Sequence, residues 1–206
     1  MRFYFFILIY LIQFGCCISS IAQNQDIIIN EIQSSNSSIL VDEDGDFSDW
    51  IELYNNSQDP INLEGYSISD DSLNVRKWIF PDTIILPETY IIIFASGKDR
   101  KISGFPLHLN FGINSERDYL FFTKSNNQTL YSSQIPSIPA NFSYGRDIDN
   151  PILWKYFQAP TPGGANYTAS FDGISGSPLL SHSSGFYTHD FFLEILSEDS
   201  LATIVY

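Results

Sequence analysis

Hydrophobic side chains recur along this chain in short bursts, and turn-forming clusters separate one burst from the next. The bursts are rich in Ile, Tyr, Phe and Thr, residue types that suit a pleated, half-buried surface. After an apolar leader, no long stretch repeats apolar positions at the helical period behind a cap. The pattern predicts strands over residues 27–33, 50–55, 66–69, 77–80, 90–95, 118–123 and 129–132. Residues 34–37, 43–46, 55–60, 70–74, 96–99 and 124–127 are dense in Asn, Asp, Ser and Gly, and are expected to turn. Short strands with no helices between them predict an all-β sandwich or barrel of one domain.

Two segments break the alternation. Ile27-Ile28-Ile29 and Ile91-Ile92-Ile93-Phe94 are continuous apolar runs. A strand with one wet face would alternate, so both faces are expected to be covered, one by the opposing sheet and the other by a loop or a neighbouring aromatic. Over residues 140–166 the periodicity fades into Pro, Gly and aromatics, ending in Pro160-Thr161-Pro162-Gly163-Gly164-Ala165-Asn166, which reads as the exit of the domain. A linker over 167–176 then leads to a second β unit over 177–206, with a strand expected at 191–195. Its closing Thr203-Ile204-Val205-Tyr206 reads as the middle of a strand without its partners, so this unit looks like the truncated start of a module.

The leader has its own logic. Arg2 precedes the apolar run from Phe3 to Phe14, and small residues follow at Ser19, Ser20 and Ala22. That order is a secretory signal peptide over residues 1–22, cleaved after Ala22 to leave Gln23 first. The run is shorter than the roughly 20 residues a bilayer-spanning helix needs. Cys16 and Cys17 behind Gly15 raise a lipoprotein signal as the weaker alternative, because Gln13 and Phe14 do not suit that pattern. Cleavage after Ala22 removes both cysteines, and with them any disulfide, thiolate or cysteine-bound metal.

Charge narrows the partners. Lys and Arg number 10 against 24 Asp and Glu, a net charge of -14, and no basic cluster exceeds Lys98-Asp99-Arg100-Lys101. Nucleic acid and anionic lipid both lean on basic patches, so neither is an expected partner. Hydrophobic residues make up 44% of the chain, enough for a sizeable core.

The densest string is Asp49-Trp50-Ile51-Glu52-Leu53-Tyr54-Asn55. Asn30 and Glu31 stand before it. Gly65, Trp78, Pro81, the run Ser143-Tyr144-Gly145-Arg146 and the pair Pro162-Gly163 follow in order. Taken together over residues 26–166, these motifs resemble the lamin-tail domain in its bacterial, secreted form. The resemblance implies an immunoglobulin-like β-sandwich with no catalytic residues, in which the matching acids hold turns and strand ends. Ser184-Gly185-Phe186-Tyr187 and the terminal residues are similar to the start of a chitobiase C-terminal-like or fibronectin-like module of the kind found ahead of CotH kinase-like domains. The expected role is a non-catalytic binding or positioning module of a secreted or cell-surface protein, holding a protein, a glycan or a neighbouring domain of the same polypeptide. The competing reading is an accessory part of a larger CotH kinase-like or hydrolytic enzyme whose catalytic domain lies beyond residue 206.

Several individual side chains have both a chemical and a plainer structural role open to them. Asp42, Glu43, Asp44, Asp46 and Asp49 gather carboxylates around Gly45, and hard oxygen ligands suit calcium. The set Asp42, Asp44, Asp46 and Asp49 is the one metal site worth naming, and calcium the one cofactor. An EF-hand register fails, since Phe47 and Leu53 stand where a loop glycine and a bidentate Glu belong, and a solvated acidic turn is the plainer reading. Glu31, Glu52 and Asp49 lack a positioned partner for acid and base work. Trp50 and Trp78 read as core rather than as a sugar platform. His108, His182 and His189 read as surface or loop residues. Asn36, Asn55, Asn127, Asn141 and Asn166 begin glycosylation sequons, which the bacterial source implied by the resemblance discounts.

Overall fold

The Ile and Leu positions that alternate along the first long strands decide which side of the sheet becomes the core. In a computed structural model, residues 25–116 and 118–199 are described, and the leader and the expected terminal strand at 203–206 lie outside them. In chain order the strands are β1 (Ile27–Gln33), β2 (Asp49–Asn55), β3 (Ile61–Asn62), β4 (Ser67–Ser69), β5 (Trp78–Ile79), β6 (Ile84–Ile85), β7 (Tyr90–Ala95), β8 (Leu107–His108), β9 (Asp118–Thr123), β10 (Thr129–Ile135), β11 (Ser143–Arg146), β12 (Trp154–Phe157), β13 (Ser170–Phe171), β14 (Leu179–Leu180) and β15 (Ile195–Leu196). Among the described residues there is no helix. A seven-stranded sheet runs β13-β12-β11-β1-β2-β7-β8 and a four-stranded sheet runs β10-β9-β4-β5. Every pairing in them is antiparallel except β7 with β8.

The two sheets form an immunoglobulin-like sandwich. Ile29 pairs with Leu53, Ile32 with Ile51, and Ile51 with Ile93, so these side chains share one face of the large sheet. Ile68 stands opposite both Phe122 and Trp78 on the small sheet. All of these belong to one buried cluster, joined by Ile27, Leu63, Phe80, Leu120 and Ile135. Trp78 meets Phe80 edge-on at 4.8 Å between ring centres, and Phe80 meets Phe122 edge-on at 6.3 Å. Such contacts add to the area term, and truncating one of these rings to Ala would cost about 3–5 kcal/mol.

The periodicity located most of the strands and missed others. β1, β7 and β9 run as expected, while β10 continues to Ile135, three residues past the predicted end. The stretch 140–166, read as an exit, instead supplies β11 and β12 to the large sheet, and β13 extends that sheet past residue 166. Strands this short carry too little alternation to stand out, and β11 contains Gly145, which offers no side chain to the pattern. Tyr144 pairs with Tyr156 and Arg146 with Trp154, so cross-strand aromatic contacts do the work that an aliphatic run does elsewhere. In the second unit the strand expected at 191–195 is reached only at its last residue, where β15 pairs with β14. Phe186 and Phe192 there are fully exposed.

Candidate functional site

The face of the large sheet turned away from the core is unusually polar for a buried surface. Between Ile29 and Glu31 the β1–β2 register shifts, leaving Asn30 as the extra residue of a bulge. A bulge breaks the two-residue alternation, so Asn30 and Glu31 can both aim at the same side. Glu31 lies directly opposite Glu52, and both are fully buried.

The loop between β12 and β13 covers this pair. Glu31 accepts hydrogen bonds from the Ser143 hydroxyl, the Thr161 N–H at 3.2 Å and the Thr161 hydroxyl at 3.2 Å. Glu52 accepts from the Asn30 amide at 2.8 Å and from the Gly163 N–H. Asn166 binds the assembly together: its Oδ1 accepts from Asn30 and Thr161 at 3.2 and 3.0 Å, and its Nδ2 donates to the carbonyls of Asn30 and Arg146 at 3.2 and 2.8 Å. Gly145 is required here, because a Cβ would fall 2.6 Å from Asn166 Nδ2 and 3.0 Å from the Asn30 carbonyl. Burial pushes the Glu31 carboxyl up, and it pushes Glu52 up to about 8, against the hydrogen bonds from Gly163 and Asn30 and with the help of the Glu31 charge.

A second loop, residues 34–48, covers the other part of the same face. Asp42 is its hub: Oδ1 accepts the N–H groups of Asp44 and Asp46 at 3.0 Å each, and Oδ2 accepts the Ser48 hydroxyl at 2.8 Å. Gly45, at φ 85°, turns the chain around that carboxylate. The oxygens of Asp42, Asp44 and Asp46 lie within 4.8 Å of one another. The Lys98 ammonium sits among them at 2.6, 2.7 and 2.9 Å. Three of the four carboxylates named for calcium are therefore together, around an internal cation. The fourth is not with them, since Asp49 accepts the Asn36 N–H at 3.1 Å.

His108 corrects its sequence reading. Far from a surface residue, it is fully buried on β8, stacked on Phe94 at 5.1 Å. Its Nδ1 lies 2.7 Å from Ser96 Oγ and its Nε2 lies 2.9 Å from Glu43, which Arg100 also engages. Serine, imidazole and carboxylate in line resemble a hydrolytic relay, but the chemistry does not follow. The ring is enclosed, both nitrogens are engaged, and Ser96 Oγ already accepts the Lys98 N–H at 3.2 Å. The line acts as a tie between the acidic loop and β8.

The Lamin Tail Domain profile matches residues 20–138, more than half of the chain. The chain belongs to the lamin tail domain family. No curated relative and no solved structure matches it. This family is a non-enzymatic, immunoglobulin-like one, in keeping with the sandwich.

Seen on the lamin tail domain, the motif residues fall into two groups. Asn30, Glu31, Glu52, Gly145, Arg146 and Gly163 meet around the covered carboxylates, with Pro162 in the covering loop. The rest are spread through the sandwich. Ile51 and Trp78 are core, and Pro81 follows β5. Trp50 is buried on the polar face with its indole N–H on Gln33. Tyr54 stacks on Tyr90, and Tyr144 stacks on Trp154. The Asn55 amide donates to the carbonyls of Asp59, Ile85 and Leu86, pinning the following turn. Gly65, at φ 77°, lies where a Cβ would come within 3.1 Å of Ser125. Ser143 stands in a family motif, whereas nothing in the sequence pattern gives Thr161, Asn166 or Lys98 its role as a partner of a buried carboxylate or its covering loop. Lys98 and Arg100 were nonetheless discoverable, as the main basic cluster in a chain whose densest acidic cluster needed an answer.

Proposed function

We propose that this lamin tail domain protein is a non-catalytic binding or positioning module of a secreted or cell-surface bacterial protein. Its partner in this reading is a protein, a glycan or a neighbouring domain. The observation that carries the proposal is the internal engagement of both buried acids. A general acid or base must reach a substrate proton, and Glu31 and Glu52 instead face donors from their own covering loop. The leader over residues 1–22 supports export, and the net charge of -14 argues against nucleic acid.

Exposed Phe186, Phe192 and Leu196 support a neighbouring domain as one thing held. A hairpin of two two-residue strands is marginal unaided, and large apolar groups around it are stabilised by cover. The module resembled over residues 177–206 belongs to this proposal.

The test is to express the full chain in a bacterium, fractionate the culture, and determine the mature N-terminus by mass spectrometry. Recovery outside the cytoplasm with Gln23 first, and no turnover of saccharides or phosphate donors by the purified protein, is the expected result. Retention in the cytoplasm with the leader intact, or clear turnover, would overturn it.

A further inference from the structure

Beside the covering loop that holds Gly163 and Asn166, the polar face opens into a cleft of about 270 Å³. Ile28 pairs with Tyr54, and Tyr54 with Tyr90, so the three side chains stand in one row across β1, β2 and β7. All are half-buried, and the two tyrosine rings stack with centres 4.5 Å apart and planes 27° apart. The β11–β12 turn brings Arg146, Asp147, Ile148 and Pro151 to the same cleft.

We propose that this cleft binds one neutral sugar ring of an uncharged glycan, with Tyr54 and Ile148 as apolar walls and Arg146 and Asp147 as polar contacts. The proposal rests on the binding-module reading and gives it a site and a ligand class. Size comes first: the cleft lies at the lower edge of small-molecule sites, which run from about 300 Å³ upward, so it suits a ring rather than a folded partner.

Charge decides the rest. Arg146 donates through Nε to the Ile29 carbonyl at 2.7 Å and through a terminal nitrogen to the Pro151 carbonyl, and it lies 5.2 Å from the centre of the Trp154 ring. Among the described residues it has no carboxylate partner, so its charge works against a cationic ligand. Asp147 is held by Lys155 at 2.8 Å and by the N–H groups of Asp149 and Asn150. Lys155 answers that carboxylate's charge, and it is the chain's overall charge of -14 that works against an anionic ligand. A neutral polyol meets both, because each hydroxyl can donate to Asp147 or accept from the guanidinium N–H groups that remain. Its apolar C–H face suits an aromatic wall.

The experiment is isothermal titration of the full chain with neutral cello-, manno- and xylo-oligosaccharides and N-acetylglucosamine oligomers. Oligogalacturonate serves as the acidic comparator and chitosan oligomers as the basic one. At least one neutral series should bind, and both Tyr54→Ala and Ile148→Asp should weaken it tenfold or more. Ile148 is 54% exposed, so Ile148→Asp should leave the melting temperature unchanged and report the site rather than the fold. Absence of binding by every neutral series, tighter binding of a charged comparator, or unaltered affinity in both variants would overturn the site. New reducing ends released from the same saccharides would overturn the non-catalytic reading itself, whatever the cleft does.

Discussion

Two neighbouring parts of one sheet face bury carboxylates by opposite means. Under the β12–β13 loop, Glu31 and Glu52 meet only neutral donors: hydroxyls, an amide and backbone N–H groups. Burial then dominates, and both carboxyls are pushed upward. Under the acidic loop, burial also raises Asp42 and Glu43, but the Lys98 ammonium, joined by the Ser48 hydroxyl and the Asp46 and Asp44 N–H groups, for the first, and His108 and Arg100 for the second, outweigh it and hold both low. Hydrogen bonds from Arg100 and Lys98 hold Asp44 low as well. The lesson is that hydrogen-bond count alone does not fix the state of a buried acid. A full cationic partner changes the sign.

The contrast is most sharply tested by pH. Glu52 has a folded value near 8 against an ordinary 4.5. Its raised pKa means that its contribution to stability is whole below about 4.5 and is lost as pH rises through about 8. Asp42, Glu43 and Asp44 are lowered, so their contribution is present above their ordinary values and is lost as pH falls through the folded ones. Stability should therefore peak near pH 4.5–5 and decline on both sides. Between pH 5 and 9, urea unfolding should show a loss on the order of 4 kcal/mol, since one unit is about 1.4 kcal/mol. Glu52→Gln should flatten most of that slope, leaving the part that the raised Glu31 contributes, while lowering the peak, because an amide accepts through one oxygen only. A parent flat from pH 5 to 9 would refute the neutral-donor account.

Next in size is Asn166→Ala. It removes two acceptor contacts and two donor contacts from a buried network, leaving the Asn30 and Arg146 carbonyls short of donors. A loss of about 3 kcal/mol is expected. Gly145→Ala should cost a similar amount by forcing a Cβ against the same amide. If either variant unfolds at the parent's urea midpoint, the network is not what holds the loop down.

How far this contrast was legible beforehand differs between the two parts. The β1 and β7 strands are readable from continuous apolar runs bounded by turn residues, β2 from its Ile51 and Leu53 alternation, and the acidic loop from its closely spaced charges. Nothing local in Pro160 to Asn166 says that Thr161 and Gly163 donate to residues more than 100 positions earlier. Such pairings arise from topology, since β11 lies beside β1 and β12 beside β11. His108 was misread for the same reason: a lone histidine in a short strand carries no pattern, and only the parallel β7–β8 pairing encloses it.

Lys98→Met is the corresponding strike at the acidic part. It leaves the buried Asp42 without its cation and brings Asp44 and Asp46 into mutual repulsion. The expected cost is about 2 kcal/mol, below the value for a fully enclosed pair because Lys98 keeps some exposure. Calcium sharpens the reading. Millimolar calcium should leave the parent's melting temperature unchanged, since the ammonium already occupies the space among the three oxygens, and should raise that of Lys98→Met. A calcium-induced rise in the parent would mean that Lys98 yields its place to the metal.

The smallest expected effect comes from Arg100→Gln. Arg100 reaches Glu43 and Asp44 from the rim of the acidic part, where all three side chains are at least a third exposed. Water and salt screen such pairs, so the loss should be smaller than for Lys98→Met and should fade in about 0.5 M NaCl. Asn166→Ala carries no formal charge change, and its loss should be the same at low and high salt. Measuring both variants at two salt concentrations therefore separates the parts by mechanism as well as by size. If the Arg100→Gln loss persists unchanged in high salt, the guanidinium holds its loop by packing over its carbons rather than by charge.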